Sequence, residues 1–146
     1  MRGKWRVMRS AFTMIEVIVM IVILGILAVV IAPRVLQHVG KSKQSVAASG
    51  VASLSMSLQS YAVANGMPES GASLRILWEK PAANASKWDG PYVNSEDDLV
   101  DPWGHPYVLL IPSQHGNADF DIISYGADGQ PGGEGENEDI VSGKKR

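Results

Sequence analysis

The chain has 146 residues, room for one modest domain. Its formal net charge of -2 conceals an asymmetry: Arg2, Lys4, Arg6 and Arg9 precede the first acid, leaving nine basic residues against 15 acidic ones in the remainder. A body this acidic lacks the clustered cations that phosphate contacts need, so no nucleic-acid partner is expected. The absence of cysteine excludes disulfide staples, thiolate zinc sites and cysteine nucleophiles.

After the basic residues 1–11 comes one apolar run. From Phe12 to Ala32 the single charge is Glu16. At 1.5 Å rise per residue this run reaches roughly 31 Å, about one hydrocarbon core. The basic flank keeps the N-terminus cytoplasmic and places the acidic body on the far side. A cleaved secretory signal is the rival reading, but the run is long, carries a carboxylate near its start, and ends in Ile31-Ala32-Pro33-Arg34, a poor small-x-small site.

The apolar pattern changes period after Pro33 instead of stopping. Val35, Leu36, Val39, Val46, Gly50, Val51, Leu54, Leu58, Tyr61 and Ala62 form one stripe, with Gln37, Lys41, Lys43, Gln44, Ser53 and Gln59 opposite. Asn65-Gly66, with Pro68 beyond, should end the helix. The pattern predicts one helix over 12–65, in lipid first and packed on a domain later. An ordinary anchor followed by a separate helix fits the periodicity equally well. Gly25 and Pro33 weaken the helix and bracket a segment able to unwind on assembly, although membrane helices also tolerate both residues.

Leu74–Trp78 reads as a short second helix. Asp101-Pro102-Trp103-Gly104 has the residues of a type I turn. Strands are expected at Tyr107–Ile111 and near Asp119–Tyr125, joined by a turn at Pro112–Gly116, with Tyr92-Val93 as a short third member and Trp103 at the sheet edge. The fold class is therefore α+β: a long N-terminal helix on a small antiparallel sheet, followed by a C-terminal loop. That loop, Tyr125–Asp139, holds Asp128, Glu134, Glu136, Glu138 and Asp139 among five glycines. It is not an EF-hand, because Gly129 at the sixth place would put Ser124 and Gly135 at the first and twelfth. Composition alone favours a solvated acidic loop. His38, His105 and His115 are scattered, and a Ser124–His115 pair lacks a third group, so no catalytic site is predicted.

The junction Ser10-Ala11-Phe12-Thr13-Met14-Ile15-Glu16-Val17 resembles the processing site of type IV pilins and pseudopilins, although Ala11 stands where that family usually has Gly. Further on, Gly90-Pro91-Tyr92-Val93, Asp101-Pro102-Trp103-Gly104, Tyr107, His115-Gly116 and the run Asp121-Ile122-x-Ser124-x-Gly126-x-Asp128-Gly129 resemble the major pseudopilin of the type II secretion system. Two departures are Met67 in place of a common aromatic, and a C-terminal end, Val141–Arg146, without the family's usual Trp.

The resemblance implies a division into a cleaved leader (1–11), a membrane and assembly half of the helix (12–33) and a periplasmic pilin-like domain (34–146). A prepilin peptidase would cut between Ala11 and Phe12, and Phe12 would be N-methylated. Glu16 would neutralise the Phe12 amine of a neighbouring subunit, with Gly25 and Pro33 adapting the helix. The implied product is a helical homopolymer, a periplasmic pseudopilus that drives protein secretion. Its other partners would be minor pseudopilins, the inner-membrane assembly platform and, before assembly, the bilayer. The resemblance also implies bound calcium, with Asp128 and Asp139 as side-chain ligands, Tyr125 and Gln130 as backbone ligands, and Asn137 and Glu138 beside them. A type IV pilus or DNA-uptake subunit shares the N-terminal motif, and a membrane-tethered binding module is the reading from another class.

Overall fold

The computed structural model describes residues 12–81, 87–116 and 119–143, with the backbone alone for 32–37. The expected leader, including Ala11, lies outside the described residues, as does the side chain of Pro33. The chain divides after His38 into two compact units. Helix α1, Met14–Asn65, supplies the described part of the first and the opening element of the second.

Helix α1 starts two residues later than the apolar run because Thr13 caps it. The Thr13 Oγ1 accepts a hydrogen bond from the Glu16 N–H at 3.3 Å, and the Thr13 carbonyl accepts from Glu16 and Val17 at 3.1 and 3.3 Å. Glu16 in the first turn also complements the helix macrodipole. Every residue from Met14 to Ile31 is exposed, and this 18-residue stretch is long and apolar enough to cross a membrane. The helix ends at the expected place, where Gly66, at φ +87°, donates to the Ala62 carbonyl at 2.9 Å.

In the second unit α1 buries Ala47, Val51, Leu54, Leu58 and Tyr61, spaced by three and four residues. Val39 and Val46, assigned by periodicity to the buried stripe, are instead 49% and 60% exposed. The buried stripe begins with Gly40 and Ala47, whose small size lets other elements approach the helix backbone. Leu74 and Leu77, on a single 3-10 turn (Leu74–Leu77), pack on the same core. Ser73 caps that turn, accepting from the Arg75 N–H.

The sheet has three antiparallel strands in the order β1 (Val108–Leu110), β2 (Asp121–Ser124), β3 (Ile140–Val141). Val108 pairs with Ile123 and Leu110 with Asp121, while Ile123 and Ser124 pair with Val141 and Ile140. The central strand β2 is buried along its whole length. Tyr92-Val93 is not the third strand. Its Tyr92 N–H goes to the Leu77 carbonyl at 2.8 Å, while Val93 fills the core and Tyr92 stands edge-on to Tyr61. The third strand comes from Ile140-Val141, to which sequence reading gave no element.

Candidate functional site

The expected turn at Asp101–Gly104 forms, with the Gly104 N–H on the Asp101 carbonyl at 3.0 Å. Trp103 lies half-buried in this turn, outside the strands. The Asp101 carboxylate is buried and turned inward. Its Oδ1 accepts from the Trp103 and His105 N–H groups at 3.0 and 2.9 Å, and its Oδ2 accepts from the Ser124 hydroxyl at 2.6 Å. Ser124 Oγ in turn accepts from the Gly126 N–H at 3.3 Å, and His105 Nδ1 meets the Gly126 carbonyl at 3.0 Å. Asp101 thus ties its own turn to the end of β2, and His105 ties it to the start of the acidic loop. Sequence reading missed this link. The pairing of an Asp turn with Asp-Ile-x-Ser was its signal, but only tertiary contact reveals it.

A second buried carboxylate, Asp121, closes the turn before β2. It accepts from Ser113 Oγ at 2.7 Å, the Gln114 and His115 N–H groups at 2.6 and 2.9 Å, and lies 3.1 Å from His115 Nδ1. Desolvation pushes its pKa up, but these donors more than offset it and hold the group below its ordinary value. His115 therefore pairs with Asp121, and Ser124 with Asp101, so the imagined Ser124–His115 dyad does not form.

The acidic loop folds on itself. Gly126, Gly129, Gly132, Gly133 and Gly135 all have positive φ. At Gly126 a Cβ would meet the Glu136 carbonyl at 2.7 Å, and at Gly133 the Asn137 carbonyl at 2.6 Å. The 3-10 turns Gly126–Asp128 and Gly135–Asn137 therefore pack directly against each other. Asp139 Oδ2 accepts from the Gly132 N–H at 2.8 Å, while its Oδ1 is buried with no hydrogen-bond partner. Asp128 is exposed and Oδ1 accepts from the Gln130 N–H at 3.1 Å.

Among the described residues no three His, Cys, Asp or Glu side chains converge as a metal cluster. A cation here would draw on two carboxylates and on backbone carbonyls, a donor mix that suits calcium. The orphaned Asp139 oxygen is the structural observation that fits such an ion, because a buried carboxylate oxygen without a donor is costly. Glu136 is turned away from this role: its side chain lies across Gly40 of α1.

Residues 34–143 match the family model described as type II secretion system (T2SS), protein G. The chain belongs to that family. It is 38% identical over 137 residues to the type II secretion system core protein G of Pseudomonas aeruginosa, covering 90% of this chain and 93% of that protein. Against the core protein G of Vibrio cholerae it is 36% identical over 135 residues, covering 90% of each. The crystal structure of the major pseudopilin from the type 2 secretion system of enterohaemorrhagic Escherichia coli superposes with a TM-score of 0.56 at 31% identity, covering 70% of this chain and 87% of that one. Membership makes the chain a structural pseudopilin and not an enzyme, and accounts for a long N-terminal helix on a small antiparallel sheet.

Proposed function

We propose that this pseudopilin is cut between Ala11 and Phe12 by a prepilin peptidase, held in the inner membrane by the first half of α1, and polymerised into a periplasmic pseudopilus for protein secretion. The observation that carries the reading is the wholly exposed apolar stretch Met14–Ile31 leading to a domain of the type II secretion protein G family. Such a surface requires lipid or the same helix of other subunits. Phe12, at 72% exposure, and Glu16 precede or open that stretch. After cleavage the Phe12 amine is the natural partner for Glu16 of an adjacent subunit, which sets register at a depth where an unpaired charge is expensive.

Mass spectrometry of the mature N-terminus tests the cut, and an intact leader overturns it. Glu16→Ala, expressed without wild-type subunits, should insert in the membrane but lose secretion and fibre yield. Normal yield would refute the pairing. Gly25 and Pro33 remain candidates for helix adjustment, and Gly25 has open space around it.

The same reading includes calcium in the acidic loop, held by Asp128, Asp139 and the carbonyls of Tyr125 and Gln130, with Asn137 and Glu138 adjoining. The ion would neutralise carboxylates that otherwise repel and would give the orphaned Asp139 oxygen a partner. Calorimetry should show binding that Asp139→Ala abolishes, and chelation should lower the melting temperature. No heat and no shift at millimolar calcium would leave an ordinary acidic loop.

A further inference from the structure

The acidic loop does more than close on itself. Its 3-10 turn Gly135–Asn137 reaches α1 at two positions one helical turn apart. The Gln44 side-chain amide donates to the Gly135 carbonyl. The Glu136 side chain lies so close over Gly40 that its Cγ is 2.5 Å from where a Cβ would stand. Gly40 is the first buried residue along α1 among those described, and the next is Ala47. Between them Lys41, Ser42, Ser45 and Val46 are exposed, and Lys43 and Gln44 are half-buried.

We propose that Gly135–Asn137 is a clasp that decides where the supported part of α1 begins. With the loop folded, tertiary support starts at Gly40. With the loop undone, it starts at Ala47, two helical turns later. Gly40 leaves room for the Glu136 side chain where it lies, so that a Cβ there would push this flexible, exposed side chain off the helix, and Gln44 supplies the hydrogen bond that holds the turn. The loop's own fold is transmitted through Gly126, whose missing Cβ lets the two 3-10 turns stack, and through Gly133, which lies between the turns against Asn137. The device needs no assumption about the ion, because each contact is between groups of this chain.

Hydrogen exchange on the full chain in detergent reads it, with the amides of Leu54–Tyr61 as the control for global folding. Gly40→Ala separates the clasp from simple helix propensity. Alanine raises intrinsic helicity, so propensity alone predicts slower exchange at residues 41–46. The clasp predicts faster exchange there and at residues 134–138, by a few-fold because only the Glu136 contact is displaced, while Leu54–Tyr61 stays protected. Adding Glu136→Ala removes the colliding side chain and should return most of the protection. Gln44→Ala introduces no clash and should speed exchange in both segments by a smaller factor. Slower or unchanged exchange in the Gly40→Ala chain, or an effect confined to one segment, overturns the clasp. So does an unchanged Gln44→Ala chain. Chelator on the wild-type chain addresses the ion separately, since Gly40 and Gln44 touch none of the calcium ligands proposed above except through the loop's fold.

Discussion

Replacing Asp101 tests whether the buried link between the Asp-Pro-Trp-Gly turn and β2 holds the domain together. Its carboxylate accepts three hydrogen bonds, from the Trp103 and His105 N–H groups and from Ser124 Oγ. A hydrogen bond to a charged acceptor contributes about 1.5–3 kcal/mol net. The sum for three is an upper bound, because removing the carboxylate also removes the several kcal/mol spent on burying it. Asp101→Ala leaves two N–H groups and a hydroxyl without their acceptor, at about 1–3 kcal/mol for each that stays buried, so after the relief of carboxylate burial a net loss of about 3–5 kcal/mol is expected. That is a large share of the ~5–15 kcal/mol that holds a typical domain. Asp101→Asn keeps the oxygen facing Trp103 and His105 but puts an amide against Ser124, whose hydroxyl must then turn round, for a loss of about 1–2 kcal/mol. Urea unfolding followed by circular dichroism gives each value, and a cycle with Ser124→Ala isolates the Asp101–Ser124 coupling. A loss below ~1 kcal/mol for Asp101→Ala, or strict additivity with Ser124→Ala, would refute the link.

Gly50→Ala pits helix propensity against packing. The new Cβ would stand 2.9 Å from Tyr107 Cζ and closer still to its hydroxyl, so overpacking of ~1–3 kcal/mol should outweigh a propensity gain near 1 kcal/mol. Thermal melting of Gly50→Ala alone and with Tyr107→Phe checks it, with partial recovery expected in the double variant. Asp121 gives an acid-side prediction. Its folded pKa lies below the unfolded value near 3.9, so its stabilisation is complete above that pH and is lost as pH falls through the folded pKa. Unfolding free energy measured from pH 5 downward should decline less steeply in Asp121→Asn than in the parent. Tyr107 acts at the other end: desolvation and the nearby Asp101 charge raise its pKa to about 12, so stability should fall between pH 10 and that value.

What could be read in advance follows from how locally each feature is encoded. The end of α1 at Asn65-Gly66 was legible because a left-handed glycine stops a helix within its own turn. The turn at Asp101–Gly104 and strands β1 and β2 were legible for the same reason, since turn residues bracket short apolar runs. The third strand was not. Ile140-Val141 and Tyr92-Val93 are both short pairs of strand-favouring residues, and only the fold of the loop before Ile140 carries it back to β2. Val39 and Val46 were misplaced because periodicity ranks residues by hydrophobicity, whereas the helix is approached where side chains are small, at Gly40, Ala47 and Gly50. At the acidic loop, composition named the oxygens but could not show that Glu136 is drawn to α1 while Asp139 is left with an unpartnered oxygen.

The energetics of the two halves of α1 explain why one helix can serve two environments. In Met14–Ile31 fifteen large apolar side chains are exposed. At roughly 1.5 kcal/mol for covering each, leaving them in water would forgo on the order of 20 kcal/mol, more than a small domain has to spare. That term decides only that the segment leaves water. It does not choose between lipid and the same segment of another subunit, because hydrocarbon tails are as apolar as Val, Ile and Leu. The choice therefore falls to the few groups that are not hydrocarbon. Glu16 is the one ionisable side chain in the stretch. Its own helix already takes part of its charge through the first-turn dipole, worth about 0.3–1 kcal/mol, far less than burial of a carboxylate costs. A cationic partner such as a neighbour's freed Phe12 amine would supply the difference, and lipid tails cannot. On this account Glu16→Gln should insert as well as the parent but lose its preference for the assembled state. Co-purification of tagged and untagged subunits from detergent reads that preference. Equal recovery of the untagged subunit with parent and variant would show that packing of the apolar side chains, not the carboxylate, selects the filament.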